Sequence, residues 1–220
     1  APYIQLASGA ANSVASLAGT LTLKSTQTDI HGLNSIRGYQ QTILQSGHIR
    51  FTSPEIDRAS GLAVDGDLVL KASVIYPGSQ INATVTAGNS ITIQQNGGAS
   101  LPLSAAGSLT LRAPVITQNG TLASPFGSIM LDASSSLTLA AGSITSVSGA
   151  GLTALYGTLL NGESWQVDPG PGAPVAIASL PEKKITLNGS NVAVEEGSVV
   201  DISGGGDLRG FKKVVPNSAV

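Results

Sequence analysis

A short pattern recurs along the chain: a small or polar residue, then two apolar residues separated by one residue that is usually polar. From Gly66 to Gly127 the copies lie roughly 20 residues apart, a period expected of solenoid proteins. Each copy alternates over three to five residues, which is the period of a half-buried strand. The copies begin at Gly19, Gly66, Gly88, Gly107, Gly127, Ser136 and Lys184.

A unit of about 20 residues cannot bury its own apolar edge, so it must stack on its neighbours. The pattern therefore predicts an all-β parallel β-helix with about 20 residues and three short strands per rung. With strands about 4.8 Å apart, about eleven rungs would form a rod roughly 50 Å long. The predicted rung core consists of Leu21, Leu23, Leu68, Leu70, Ile91, Ile93, Leu109, Leu111, Ile129, Leu131, Leu137, Leu139, Ile185 and Leu187.

Composition excludes several functional classes. Lys and Arg number 11 against 13 Asp and Glu, so no basic excess favours nucleic-acid binding. The chain has no Cys, which excludes a disulfide scaffold, a Cys-ligated zinc site and a Cys nucleophile. No apolar run approaches the roughly 18 residues of a transmembrane helix, so a helical membrane protein is not expected.

The pattern predicts a single solenoid over residues 1–220, with two departures. Residues 32–58 carry more polar and charged groups, and irregular or looped rungs are expected there. Residues 160–181 hold Trp165 and a Pro/Gly-rich stretch, and we expect a protruding loop because proline cannot donate to a strand ladder. The chain starts without an initiator Met or a signal peptide, so we expect a processed chain or a fragment.

The titratable residues suggest no catalytic, metal or cofactor site. His31 and His48 lack metal-ligand spacing and are interpreted as surface or turn histidines. Asp65-Gly66-Asp67 is similar to calcium-binding glycine–aspartate repeats, and so is the turn before Asp207, but such copies would have to recur in register. The candidate carboxylates lie at different phases of the repeat, although stacking could still bring two of them together. They are Asp65, Asp67, Asp132, Asp201 and Asp207.

Two features could contact a partner. If the outward residues of the repeat stack, they form a largely threonine stripe on one face, although threonine also simply favours strands. Trp165 and Asp168 lie in the predicted loop, where an exposed indole could stack on a sugar or dock a partner. A buried cap under the loop is the alternative for Trp165. The stripe would comprise Thr22, Val69, Thr92, Thr110, Met130, Thr138 and Thr186.

Several stretches resemble the filamentous haemagglutinin family of secreted bacterial exoproteins. They are residues 66–72 with the following Tyr76-Pro77, residues 108–127, residues 142–148 and residues 200–208. The resemblance implies a right-handed β-helix within a very large secreted protein, exported by two-partner secretion through an outer-membrane transporter. Members act as adhesins or surface fibres. This chain would be an internal or C-terminal segment, and the resemblance supplies no receptor and no catalytic residues.

We therefore expect a structural or adhesive segment of a secreted fibre at the bacterial cell surface, with no cofactor and no enzymatic activity. Open solenoid ends carry unpaired backbone groups, which predicts end-to-end self-association into filaments. A low charge content of 11% offers little repulsion between rods. A host-cell or glycan receptor is a possible partner. The alternatives are a carbohydrate-active β-helix enzyme, such as a polysaccharide lyase or hydrolase, and a carbohydrate-binding module.

Overall fold

The computed structural model describes residues 1–7, 16–53, 58–98, 101–160, 163–167 and 173–211. These residues contain no helix, and 62% of them lie in strands, so the described part of the chain is all-β. The strands pair mainly in parallel and stack as a β-solenoid of about 5 turns. The prediction of an all-β parallel β-helix is confirmed.

The strands follow one another with short corners between them. They are β1 (Tyr3–Ala7), β2 (Thr20–Lys24), β3 (Gln27–His31), β4 (Leu33–Ile36), β5 (Gln41–Gln45), β6 (His48–Thr52), β7 (Ala59–Val64), β8 (Asp67–Ala72), β9 (Val74–Pro77), β10 (Asn82–Ala87), β11 (Ser90–Gln95), β12 (Ser108–Asn119), β13 (Thr121–Ala123), β14 (Ser128–Leu139), β15 (Ile144–Ser146), β16 (Thr153–Leu160), β17 (Ser164–Val167), β18 (Val175–Ala176), β19 (Lys184–Asn188), β20 (Asn191–Val194), β21 (Val199–Asp201) and β22 (Asp207–Phe211).

The coil has three faces. Sheet A stacks β1, β3, β6, β9, β13, β15 and β21 in that order. Sheet B stacks β2, β5, β8, β11, the second halves of β12 and β14, and β20. Sheet C stacks β4, β7, β10, the first halves of β12 and β14, and β19. Strands β12 and β14 each turn the corner between sheets C and B, where their register shifts between Ala113 and Val115.

The coil is shorter than its repeat period predicts. About eleven rungs were expected, and the structure has about 5 turns, so that prediction is wrong. Turn length varies: the turn that leads from Leu33 to its partner Gly61 is longer than the one that leads from Ser108 to Ser128. The turn from Ser128 to Lys184 is far longer than either, because it contains an insertion. The seven stacked strands of sheet B, about 4.8 Å apart, span about 29 Å.

The interior of the coil is filled by the aliphatic residues of the repeat. Ten of the fourteen residues of the predicted rung core are at most 1% exposed, namely Leu68, Leu70, Ile91, Ile93, Leu109, Leu111, Ile129, Leu131, Leu137 and Leu139. The other four, Leu21, Leu23, Ile185 and Leu187, are half-buried. They lie on β2 and β19, each of which pairs with one strand among the described residues, so their side chains are covered from one side.

The polar stretch at residues 32–58 continues the coil. Its described residues include β4, β5 and β6, with β5 between β2 and β8 and β6 between β3 and β9. These strands continue the parallel stacking of the neighbouring turns, and in β5 and β6 the outward residues alternate with buried ones. In β5, for example, Thr42 and Leu44 are buried while Gln41 and Gln45 point outward. Residues 54–57 lie outside the described residues.

The stretch at residues 160–181 leaves the coil. β17 pairs antiparallel with β16 and with β18, forming a ribbon, and β16 pairs in parallel with β22. This ribbon joins the coil through a second small core, in which Phe126 packs with Ala105, Leu152 and Ala154. The protruding segment is therefore built on strands. Residues 161–162 and 168–172, which include Asp168, lie outside the described residues.

Two glycines of the repeat, Gly66 and Gly88, stand where the backbones of successive turns approach closely. A Cβ atom would lie 2.2 Å from the Gln40 carbonyl oxygen at Gly66, and 2.0 Å from the Asp65 carbonyl oxygen at Gly88. Both distances are far below van der Waals contact. These two glycines occupy the corner between sheets C and B on consecutive turns, so the sequence repeat marks a stack of close backbone contacts.

Candidate functional site

The outer face of sheet A carries a cluster of planar polar and aromatic side chains near the N-terminal end of the coil. Parallel register aligns Tyr3, Gln27 and His48 in one column, and Asp29, Arg50 and Tyr76 in the next. The intervening residues of β3 and β6 point inward and are buried. We call these six side chains the sheet A patch.

Asp29 is the centre of the sheet A patch. Arg50 donates two hydrogen bonds to its carboxylate, from Nε to Oδ1 at 3.0 Å and from Nη2 to Oδ2 at 2.6 Å. Gln27 Nε2 donates to Oδ1 at 3.1 Å, and the Tyr3 hydroxyl donates to Oδ2 at 3.1 Å. The Asp29 side chain is 7% exposed and that of Arg50 is 38% exposed. Three neighbouring strands therefore hold one carboxylate through a planar bidentate pair.

The surroundings of Asp29 favour its ionised form. Burial tends to raise its pKa, but the hydrogen bonds from Arg50, Gln27 and Tyr3, with the charge of Arg50, outweigh burial and lower the pKa. Burial raises the pKa of the Tyr76 hydroxyl, with Arg50 opposing. At neutral pH the patch thus contains an ionised Asp29–Arg50 pair, whose charges cancel, beside an uncharged Tyr76.

Replacing Asp29 with asparagine should destabilise the protein by about 2 kcal/mol at pH 7, since hydrogen bonds to a charged group are lost. Because the pKa of Asp29 is lowered on folding, its ionised form stabilises the fold above its unfolded pKa of about 3.9. That stabilisation disappears as the pH falls through the lowered folded pKa. Urea unfolding from pH 7 to pH 2 should therefore show the wild-type protein and Asp29→Asn converging below about pH 4. A difference that stays constant across this range would contradict the assignment.

The two histidines lie in strands rather than in turns, and the structure does not bring them together. The His48 ring meets Tyr76 edge to face, with centroids 6.5 Å apart. His31 Nδ1 is 3.0 Å from the Thr52 hydroxyl, at the other end of the same pair of strands. About four residues, or about 13 Å, separate the two positions along the strands. Within the described ranges, no three or more His, Asp or Glu side chains converge as a metal site would require.

Four of the five candidate carboxylates make structural contacts at separate places. Asp65 accepts a hydrogen bond from the Gly38 N–H, and Asp132 accepts one from Arg112. Asp67 accepts hydrogen bonds from the side chains of Asn89 and Ser90. Asp201 accepts hydrogen bonds from the Ser146 hydroxyl and the Ser203 N–H. The hydrogen bonds from Ser203, opposed by burial and helped by Ser146, lower the pKa of Asp201. Asp207 begins β22 and its backbone N–H donates to the Leu152 carbonyl. These contacts hold corners and neighbouring turns in register.

The predicted threonine stripe is divided between two faces. Thr22, Val69, Thr92 and Thr138 are in one column of sheet B, while Thr110, Met130 and Thr186 are in a column of sheet C. The seven residues therefore do not form one stripe on one face, which leaves the alternative that threonine simply favours strands. The reason is that β12 and β14 each turn a corner, so their outward threonines point from two different sheets.

Trp165 is half-buried and binds its own ribbon. Its indole Nε1 donates to the Tyr156 carbonyl oxygen at 2.6 Å, and its ring meets the Tyr156 ring edge to face at 6.2 Å. A Cβ atom on Gly210 would lie 2.9 Å from the indole, so the glycine of β22 makes room for it. These contacts are the ones expected of the alternative in which Trp165 is a buried cap under the loop. The indole joins β17 to β16 and β22.

The last turn of the coil presents its interior to solvent. β19, β20 and β21 each pair on one side within the described residues. Val192, Val194 and Val200, which continue the inward columns, are 41%, 56% and 42% exposed. Their partners one turn earlier, Leu137 and Leu139 among them, are fully buried. We call this turn the C-terminal end surface. The N-terminal end surface is formed in the same way by β1, β2 and β4.

Sequence reasoning did not single out Asp29, Arg50 or Tyr76. β3 and β6 lack the leucine-rich pattern of the repeat, and their residues become neighbours when the turns stack in register. A usable signal was present in β6, where His48 and Arg50 alternate with the buried Ile49 and Phe51. β3 does not show it, because Thr28, Asp29 and Ile30 are all buried.

None of the described residues forms a helix that could cross a membrane. The coil is consistent with the resemblance to filamentous haemagglutinins, which stays a prediction. No protein-family model, no curated protein and no solved structure matches the chain.

Proposed function

We propose that the chain is a structural and adhesive segment of a large secreted fibre at a bacterial cell surface. The observation that carries the proposal is a parallel coil whose two ends, among the residues that the structure describes, both present strand edges around an apolar interior. Secretion, surface location and export through an outer-membrane transporter rest on the resemblance to the filamentous haemagglutinin family. Adhesion would use the outer faces, which remain accessible when coils stack end to end.

Stacking another coil on the C-terminal end surface would complete what the earlier turns already do. Val194 pairs with Leu139, which is fully buried because a further turn covers it. A strand added to β20 would cover Val192 and Val194 in the same way and would pair their backbone groups. The matching surface is the N-terminal end of another coil, because its strands run in the same direction and its inward residues are aliphatic except for Asn34 of β4. Such head-to-tail contacts extend into filaments.

Charge supports this pairing at one corner. In sheet B, Leu23 of the first described turn and Val194 of the last described turn lie in the same inward column. Lys24 and Glu195 follow these residues and therefore occupy equivalent places at the two ends. If one coil stacks on another in this register, Lys24 approaches Glu195. Opposite charges at a contact favour the correct register.

Sedimentation velocity over a range of concentrations, with electron microscopy of the same samples, tests the proposal. The wild-type protein should form concentration-dependent oligomers and narrow filaments of constant width. Val194→Glu should reduce this association at least tenfold, because it places a charge in the apolar end and beside Glu195. Folding should be retained, since Val194 is 56% exposed.

The matched control is Ala193→Glu, which adds the same charge on the same strand. Ala193 lies between Val192 and Val194 and pairs with Thr138, which is an outward residue, so it points away from the interior. This variant should associate like the wild-type protein. A wild-type protein that stays monomeric at high concentration would refute end-to-end assembly, and so would equal effects of the two variants.

A carbohydrate-active enzyme needs two carboxyl groups that converge on one sugar bond. In the described part of the chain, the candidate carboxylates are distributed over separate sheets and corners, and four of them are held by structural hydrogen bonds. No observation favours catalysis, so the proposed function does not include it.

A further inference from the structure

We propose that the sheet A patch binds a neutral oligosaccharide that lies along the coil axis. This inference rests on the adhesive part of the proposed function and names the class of ligand for it. It depends on the six side chains of the patch and not on the coil ends, so the two proposals can fail separately.

The polar centre of the patch is fixed before any ligand arrives. The Asp29 carboxylate receives four hydrogen bonds from three side chains, and the bidentate pair with Arg50 holds both planar groups side by side. β3 and β6, which carry these residues, are each paired on both sides. A preorganised site loses little conformational entropy on binding, which favours affinity for a flexible polyol.

The patch still has hydrogen-bonding capacity directed to solvent. A guanidinium has five N–H donors, and the contacts with Asp29 involve two of the three nitrogens of Arg50. The remaining N–H groups have no acceptor among the described residues, and the side chain is 38% exposed. The Tyr76 hydroxyl also has no hydrogen bond within the described ranges and can both donate and accept. Adjacent donors and acceptors of this kind suit the vicinal hydroxyls of a sugar.

Aromatic rings flank this polar centre. The Tyr76 ring is in edge-to-face contact with the His48 ring, and Tyr3, on the other side of Asp29, is 49% exposed. A tyrosine offers an apolar ring with a polar tip, which matches the C–H face and the hydroxyl rim of a pyranose. From β1 to β9 the patch spans three strand spacings, or about 14 Å, which suits a short oligosaccharide.

The charge of the patch indicates a neutral ligand. Asp29 and Arg50 cancel each other, and the patch contains no lysine and no second arginine. Sulfated saccharides and nucleic acids require an excess of basic groups. A useful comparison is the Arg112–Asp132 pair, which also joins neighbouring turns but makes one contact of 3.1 Å. The groove around that pair is lined by Thr86, Ala87, Ala113, Pro114 and Ser134, without an aromatic residue.

The test uses a printed array of neutral hexose and hexosamine oligosaccharides, with sulfated oligosaccharides as a second set, followed by calorimetry with the strongest neutral binder. The wild-type protein should bind a subset of the neutral set, and added salt should not weaken the binding. Arg50→Lys keeps the charge but removes the planar fork, and should weaken binding at least tenfold. Tyr76→Phe keeps the ring and should weaken it less, while Tyr76→Ala should abolish it.

The matched control is Arg112→Lys, which makes the same change in the other cross-turn pair and should bind like the wild-type protein. Val194→Glu should also bind normally, because it alters the coil end alone. Far-UV circular dichroism checks that each variant is folded, and Arg50→Lys with Tyr76→Phe still tests the proposal if Tyr76→Ala fails to fold. The proposal is overturned by absence of neutral binding, by binding confined to sulfated sugars, or by equal losses in Arg50→Lys and Arg112→Lys.

Discussion

Replacing Gly88 with alanine should lower the free energy of unfolding by about 3 kcal/mol, although the residue is exposed. The added Cβ would lie 2.0 Å from the Asp65 carbonyl oxygen and 3.0 Å from the Asp65 carbonyl carbon. Both are backbone atoms, so relief requires the two turns to separate at this corner. That movement strains the hydrogen bond from the Gly88 N–H to the Val64 carbonyl, which is 3.0 Å long. Thermal unfolding followed by circular dichroism should show a Tm lower by about 6–12 °C.

Gly98→Ala is the matched control. No atom lies within 4 Å of a Cβ at Gly98, and its backbone does not require the left-handed region. This variant should stay within about 0.5 kcal/mol of the wild-type protein. Gly66→Ala should reproduce the effect of Gly88→Ala, because its Cβ would lie 2.2 Å from the Gln40 carbonyl oxygen. If Gly88→Ala and Gly98→Ala unfold at the same temperature, the close approach of the turns at this corner is not as described.

The strands of the repeat were predictable because one-sided burial imposes an alternation that is readable in the sequence. Leu109 and Leu111 are fully buried while Thr110 between them is not. The repeated glycine was also readable, but its physical cause was not. At Gly66 and Gly88 the cause is steric approach of another turn. At Gly19, where a Cβ would meet nothing within 4 Å, it is a φ of +68°.

The corners account for what the sequence pattern could not predict. Between sheets A and C, successive turns adopt positive φ at Gln80, Ala106 and Phe126, with values of 60°, 58° and 56°. None of these residues is a glycine, so the residue type does not indicate that the backbone has a positive φ at these positions. The number of residues in each corner could not be predicted from the sequence either, because additional residues in a corner leave the alternation within the strands unchanged. For this reason, the spacing of roughly 20 residues between the copies from Gly66 to Gly127 led to an overestimate of the number of turns.

The sheet A patch shows the same limit at the level of the site. Asp29, Arg50 and Tyr76 come from three successive turns and are far apart in the sequence. Their proximity depends on the register of three strands, and register depends on the corner lengths that the sequence does not reveal. The alternation of β6 predicts that Arg50 lies on the outer face, but not that Asp29 of β3 and Tyr76 of β9 are its neighbours.

Gln118 is another residue that the repeat pattern does not explain. It lies in an inward column of sheet B between Ile93 and Leu139, where an aliphatic residue is expected, and it is 0% exposed. Its amide nitrogen donates to the Ile144 carbonyl at 2.9 Å and to the Gly120 carbonyl at 3.1 Å. Its Oε1 accepts the Gly120 N–H at 3.2 Å. The Gly120 carbonyl also accepts the Ile144 N–H at 2.8 Å. The amide therefore supplies the acceptor for the Gly120 N–H and adds donors to two carbonyls at this corner, where sheet B passes to sheet A.

Gln118→Leu should consequently destabilise the coil by about 2–4 kcal/mol, although it places an aliphatic residue of similar size in an aliphatic column. The reason is that the Gly120 N–H is left buried without its acceptor, and the fully buried Thr145 hydroxyl loses its donor at 3.2 Å. Urea unfolding measures the change. Gln94→Leu is the control, because Gln94 lies on the outer side of the same sheet and is half-exposed. It should change stability by less than about 0.5 kcal/mol. A Gln118→Leu protein as stable as the wild type would show that apolar packing alone can support this corner.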